Sequence, residues 1–326
     1  MDNPFNNCTL PSVLRETETT IYTNDSSVPN VLALRLIDIY EEAYSGKPEL
    51  ATISATEFVG SNKQILLKQR RIKDFYKLTK EVSSIQQSVL GTIMHSGIYP
   101  NEPSRRTKKI GKWTISGQAD NITEGTLYDL KYMAVFTANM LQKEMRRYNS
   151  RLALEDLKVK FPTIFKFTIQ LSIYNWLYDL KSEVGYILQV VSNWSIRDRS
   201  TIPNKSSLQD IEIYSHKEVV EYLTKRLDII EQYQNNGTLP DCSLSEIGSS
   251  KSSIFKLVRP GKDRRVSKSK ECDTYEEATK EQLNFNNTVI HEVSKSTTPL
   301  LCIQYCDFNK TGFCTQGAEL SEEYSR

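Results

Sequence analysis

Asp120 and the triplet Asp129-Leu130-Lys131 lie close together in the stretch GKWTISGQADNITEGTLYDLKYMAV. Carboxylates that converge on one point repel each other unless a cation neutralises them, and oxygen-rich sites favour Mg²⁺ or Mn²⁺ over softer metals. An ammonium beside such an ion can steady the charge that builds on a phosphodiester during in-line attack. The chemistry these residue types could perform is therefore cation-assisted hydrolysis of a phosphate ester. A lone D-x-K is more often a solvated cross-strand pair on a surface hairpin, so the reading depends on what surrounds it.

The elements that must position these residues are legible from periodicity. Larger apolar side chains alternate from Trp113 to Asp120, and Asn121 to Gly125 carries turn chemistry. From Thr126 to Tyr132, Leu127, Asp129 and Lys131 share one face, with Tyr128, Leu130 and Tyr132 on the other. This pattern predicts a hairpin over 111–135 that sets Asp129 and Lys131 about 7 Å apart on one side, with Asp120 coming alongside. Helices are predicted over 28–44, 54–72, 74–96, 137–160, 162–179 and 216–234, and a buried strand over 183–192. Ser54 and Glu57 have capping-box spacing. Residues 1–27 are polar, lack periodicity and are expected to be poorly ordered. The chain divides on these grounds into a polar arm and helix (1–50), a core (51–239) and a smaller C-terminal segment (240–326). A serine-rich linker at 243–253 leads that segment, followed by a strand at 253–258 and a helix opened by Thr274 with Glu277 at N3.

Two further elements flank the D-x-K. Upstream, Leu90-Gly91-Thr92-Ile93-Met94-His95 has the form G-x-x-x-H, and downstream Gln170-Leu171-Ser172-Ile173-Tyr174 has the form Q-x-x-x-Y, its two polar residues on one helix face. Taken singly, His95 suits a structural histidine and Gln170/Tyr174 an ordinary helix surface. Together and in this order they resemble the RecB-like and Cas4-like branch of the PD-(D/E)XK nuclease superfamily, in its phage-type exonuclease form. The resemblance covers roughly residues 51–180. It implies an α/β, restriction-endonuclease-like core with a mixed central β-sheet flanked by helices, plus a small cysteine-containing C-terminal clasp or lid. In its terms His95, Asp120, Asp129 and the carbonyl of Leu130 would hold Mg²⁺ or Mn²⁺, Lys131 would position the attacking water, and Gln170 and Tyr174 would orient the substrate strand. The activity implied is exonucleolytic hydrolysis of DNA ends in recombination, repair or processing, with a single-strand annealing protein as a possible partner. One departure is that the nearest glutamate after the histidine, Glu102, lies beyond Pro100 and is expected off the helix.

Composition is permissive. The 326 residues are 38% hydrophobic, enough for one substantial core, and a net charge of +2 neither marks nor excludes a nucleic-acid binder. Basic clusters occur at Lys68–Arg71, Arg105–Lys109, Arg146–Arg147 and Arg259–Arg265; such runs are usually solvated, and Arg105–Lys109 is singled out because it leads into the predicted hairpin. No apolar run reaches 18 residues and no leader pattern opens the chain, so a cytoplasmic protein is expected, in the bacterial host if phage-encoded, with no membrane partner.

The six cysteines are then read for a reducing compartment. Cys302, Cys306 and Cys314 form C-x3-C-x7-C, and a four-ligand site would need one more thiolate. By resemblance to phage members that fourth is Cys242; by resemblance to Cas4-like members it is Cys8. A [4Fe–4S] cluster, a Zn²⁺ ion and unliganded cysteines all stay open, and Cys272 is a bystander. Two functional alternatives stay open as well, alongside a structure-specific endonuclease: a catalytically idle DNA-binding scaffold and a zinc-binding interaction module.

Overall fold

The computed structural model describes residues 12–24, 28–44, 50–74, 77–243, 246, 251–258, 271–272, 275–284, 288–296, 314–316 and 319. The chain divides into two compact units, Met1–Asp241 and Cys242–Arg326. The first contains, in order, β1 (Ser12–Glu16), β2 (Thr20–Asn24), α1 (Asn30–Tyr44), β3 (Thr52–Ser54), a 3-10 turn at Glu57–Val59, α2 (Asn62–Asp74), β4 (Leu78–Glu81) and α3 (Val82–Ile98). It continues with β5 (Arg106–Ile110), β6 (Trp113–Gly117), β7 (Asn121–Thr123), β8 (Thr126–Met133), α4 (Val135–Arg147), α5 (Leu154–Lys160) and α6 (Pro162–Leu177). It ends with β9 (Val184–Val191), a 3-10 turn at Ile196–Ser200, β10 (Ser206–Glu212) and α7 (His216–Asn236). The fold is mixed α/β, with mixed sheets flanked by helices, as expected. Among the described residues, no helix is long and apolar enough to cross a membrane.

The sheet that matters most runs β10-β9-β8-β7, with β8 and β9 parallel and both outer pairings antiparallel. In the parallel pair Asp129 lies opposite Ile187 and Lys131 opposite Gln189. Helix α6 is buried at nearly every position from Ile164 to Leu177, which is how a helix reads when it is surrounded by core on all sides. Its first turn is held from outside: Pro162 occupies the start of the helix, and the amides of Thr163 and Ile164 both donate to Glu144 Oε2 of α4, at 2.8 and 2.9 Å. Close approach of β9 to α6 depends on Gly185, where a Cβ would lie 3.2 Å from Leu171 Cδ1.

Helix α7 begins with a reciprocal Ser215/Glu218 capping box and stops at Gly237, whose φ of 68° supplies the left-handed C-terminal turn. Its buried Arg226 donates to Asn62 Oδ1 and to the carbonyls of Phe58 and Gly60, tying α7 to the segment before α2. Most of the buried apolar residues form one cluster around β6, β8, β9, α6 and α7; a satellite of Tyr22, Ala33, Ile37, Val82 and Ile85 joins β2, α1 and α3.

Several expectations are corrected. The predicted 111–135 hairpin is not one ribbon: β6 pairs with β5 and β3 in another sheet, and the hairpin is β7–β8 alone. Its turn is Glu124-Gly125, both left-handed at φ 51° and 77°, which closes a two-residue loop and leaves Asn121–Thr123 free to be a strand. Within 12–24 the segments Ser12–Glu16 and Thr20–Asn24 are strands, because the buried Tyr22 anchors a segment whose threonines hide the alternation. The helix expected at 74–96 begins only at Val82; before it, β4 runs parallel to β2, and Glu81 caps α3 by accepting from Ser83 N. The helix expected at 137–160 is two helices, with a break between Arg147 and Leu154. The Ser54/Glu57 capping box is present, with Ser54 N donating to Glu57 Oε2 at 2.8 Å, but it opens a 3-10 turn and not a long helix.

In the second unit, β11 (Lys251–Val258) pairs antiparallel with β12 (Glu271–Cys272) and β13 (Val289–Ser296), and α8 (Tyr275–Gln282) buries Ala278.

Candidate metal centre

Asp129 and Lys131 project from the same face of β8, as alternation requires. Asp129 is 1% exposed, and Lys131 Nζ lies 2.7 Å from its Oδ2. The contact is an ion pair, and Asp129 Oδ1 has no hydrogen-bond partner among the described residues. Burial works against the charge on Lys131, but Asp129 and then Asp120 outweigh it and hold the ammonium above its ordinary pKa.

Asp120 reaches β8 from the segment after β6. Its Oδ2 accepts from Leu130 N at 2.6 Å, so the side chain occupies the strand edge beyond β7. Burial, then the nearby Asp129 carboxylate, push its pKa from near 3.8 up to about 8. His95 comes from the last turns of α3, with Nε2 3.1 Å from the Leu130 carbonyl and Nδ1 3.5 Å from Asp120 Oδ2. A carbonyl only accepts, so Nε2 carries the ring proton and Nδ1 turns its lone pair toward Asp120. Burial lowers the His95 pKa, which favours this neutral form.

Gln170 and Tyr174 sit one turn apart on α6, and Gln170 Nε2 donates to the Tyr174 hydroxyl at 2.9 Å. Both are buried, so they belong to the wall behind the site and not to an open helix surface. Burial and Asp129 raise the Tyr174 pKa to about 12. Gly117 makes room for that ring, since a Cβ there would lie 2.8 Å from Tyr174 Cε1.

The structure thus brings His95 and Asp120 onto the Leu130 peptide beside the Asp129–Lys131 pair, with Tyr174 within electrostatic reach of that pair and Gln170 bonded to Tyr174. It also brings in Glu102, which lies off the helix as expected, and two neighbours that motif spacing did not single out, Tyr99 and Gln189. Glu102 accepts from Gln118 Nε2 at 3.0 Å, and its charge reaches both His95 and Asp120, so the loop after Pro100 returns toward the site. Tyr99, which follows α3, is held above its usual pKa by burial and then by Asp120 and Asp129. Gln189 faces the same side as Lys131 on the adjacent strand; the available signal was a glutamine inside the apolar run of β9. The basic stretch before β6 is partly spent on structure, with Lys108 bonded to Asp179 and the Trp176 carbonyl.

A divalent cation would need these oxygen and nitrogen donors to converge on one point. Among the described residues no three His, Cys, Asp or Glu side chains converge closely enough to share an ion as they stand. Each donor is instead engaged by a neighbour: Asp129 by Lys131, Asp120 by Leu130 N, and His95 by Leu130 O. Two observations fit a cation nonetheless. Asp129 carries a buried oxygen with no hydrogen-bond partner, and its carboxylate and burial make ionisation of Asp120 unfavourable, which a hard positive ion would reverse.

Of the cysteines, Cys8, Cys302 and Cys306 lie outside the described residues. Cys242 is half-buried and Cys314 buried, and the Gln316 side chain brackets the Cys242 backbone, accepting from its N at 2.9 Å and donating to its O at 3.1 Å.

No protein-family model and no curated protein matches the sequence. Two solved structures share part of the shape. The SSO0001 protein is 18% identical, with 61% of this chain and 86% of that one covered at a TM-score of 0.38. A phage related exonuclease from Haemophilus somnus 129PT is 15% identical, with 53% and 81% covered at a TM-score of 0.35.

Proposed function

We propose that the protein is a divalent-cation-dependent deoxyribonuclease of the PD-(D/E)XK type that hydrolyses phosphodiester bonds at DNA ends. The observation that carries this reading is the buried Asp129 carboxylate, ion-paired to Lys131 on one strand face, with Asp120 and His95 arriving at the same Leu130 peptide from two other elements.

In this reading Asp129, Asp120, His95 Nδ1 and the Leu130 carbonyl hold Mg²⁺ or Mn²⁺, with His95 oriented by its Nε2 proton on that carbonyl. The bound ion supplies Lewis-acid polarisation of the phosphodiester and a water made easier to deprotonate. Lys131 stays protonated, so it acts as a donor that aims the attacking water and offsets charge on the phosphoryl oxygens. Tyr174 stays a neutral phenol and with Gln170 sets the back wall of the pocket. DNA is the substrate partner in this account; a cluster at Cys242, Cys302, Cys306 and Cys314 is a separate proposal, read out as bound iron or zinc in the purified chain.

The test is digestion of end-labelled linear duplex and covalently closed circular DNA with Mg²⁺, Mn²⁺ or EDTA. Loss of linear DNA alone, abolished by chelator and by Lys131→Ala, supports an exonuclease. Cleavage of the circle makes it an endonuclease, and binding without cleavage of either substrate overturns the catalytic reading in favour of an idle scaffold.

A further inference from the structure

We propose that Gln189 is a positioning residue for Lys131, the acceptor to which the ammonium turns when a cation takes up Asp129; this rests on the cation-dependent reading above. Gln189 is fully buried in β9, and neither Oε1 nor Nε2 has a hydrogen-bond partner among the described residues. Burying an amide without partners is costly, and native proteins keep few such groups. In the parallel register Gln189 stands directly opposite Lys131, on the face that also carries Asp129, and neighbouring strands lie about 5 Å apart.

The two side chains flanking Lys131 are therefore complementary. On one side Asp129 holds the ammonium and would have to share its carboxylate with an incoming cation of like charge. On the other, Gln189 Oε1 is an acceptor with nothing to accept. Moving the Lys131 proton donor from Asp129 to Gln189 frees the carboxylate, gives the amide oxygen Oε1 a partner and keeps the ammonium on the wall of the site. No bond to the substrate is made by Gln189 in this scheme, so its effect runs through Lys131 and through cation affinity.

The experiment compares wild type, Gln189→Met and Gln189→Glu in three readouts: thermal midpoint in EDTA, Mn²⁺ affinity by calorimetric titration, and kcat and KM on linear DNA. Methionine keeps the volume and removes both unpartnered atoms, so its midpoint in EDTA is expected at or above wild type. Its Mn²⁺ affinity is expected to fall about tenfold, and kcat with it, while KM for DNA is unchanged. Glutamate keeps an acceptor facing the ammonium and is expected to hold Mn²⁺ within about threefold of wild type or tighter. A Gln189→Met protein with a lowered midpoint but wild-type Mn²⁺ affinity and kcat would make the glutamine merely structural and overturn the proposal. Wild type that binds Mn²⁺ without cutting DNA refutes the nuclease reading while the affinity arm still decides Gln189; wild type that binds no Mn²⁺ overturns both.

Discussion

The two sides of the site are built differently. Asp129 and Lys131 stand on β8, paired to β9 and backed by the buried helix α6, inside the main cluster that holds Leu127, Ile169, Leu171 and Ile187. His95 instead rides on α3, whose anchorage is the satellite cluster of Tyr22, Ala33, Ile37, Val82 and Ile85, and whose later turns leave Leu90, Ile93 and Ile98 exposed at 42%, 51% and 39%. A carboxylate and a lysine forced together in a low-dielectric wall need rigid support, since small displacements change their energies steeply. On the proposed reading, a histidine that completes the coordination from a less deeply anchored element can adjust, so that the β8 wall would set the chemistry and α3 would tune cation affinity.

Substitutions can break this contrast in order of size. Asp129→Asn removes the carboxylate from the wall, and kcat on linear DNA is expected to fall by at least about 10³-fold, measured at saturating Mn²⁺ with far-ultraviolet circular dichroism to confirm the fold. Ile187→Ala opens a cavity under the same wall and is expected to cost about 2–5 kcal/mol of global stability by urea titration. Glu144→Gln withdraws the charge from the two amides that start α6, with an expected loss of about 1–2 kcal/mol in the same assay. On the other side, Ile85→Ala is expected to weaken Mn²⁺ binding by roughly tenfold through a looser α3 while leaving hydrogen-exchange protection of β8 and β9 as in wild type. Equal loss of protection in α3 and β9 would show the two sides to be one cooperative unit.

The smallest effect sharpens the electrostatics. The Asp120 carboxyl is pushed up to about 8 by burial and Asp129, so its neutral form favours the folded, cation-free protein below an unfolded value near 3.8. That contribution is lost as pH rises from there through about 8, and the cation-free protein should lose stability across the same window. Because a cation competes with that proton, Mn²⁺ affinity is expected to climb with pH and level off above about 8. Calorimetric titration between pH 6 and 9 checks the slope, and a flat profile would remove Asp120 from the ligand set.

Much of the site was legible because it depends on local spacing. Alternation placed Asp129 and Lys131 on one face, and the i, i+4 spacing placed Gln170 against Tyr174, where the structure has a hydrogen bond. Pairing between strands is a tertiary property, and there the sequence misled. Trp113–Gly117 alternates as a hairpin arm should, yet its partners are β3 and β5, and only the two left-handed residues Glu124 and Gly125 specify the true turn. The short polar strand Leu78–Glu81 has no apolar signature because parallel pairing with β2, not burial of its own face, defines it. Glu102 and Tyr99 approach the site through a loop whose path no periodicity encodes, and Gln189 became significant only when the register set it opposite Lys131.

The central claim is that one cation seat is formed by His95, Asp120, Asp129 and the Leu130 carbonyl. Anomalous diffraction from crystals soaked in Mn²⁺ tests it most directly. The account predicts a manganese peak bonded to Asp129 and Asp120 beside His95, with Lys131 turned off Asp129 toward Gln189. Crystals that bind no manganese there, with the Lys131–Asp129 ion pair intact at saturating Mn²⁺, would contradict it.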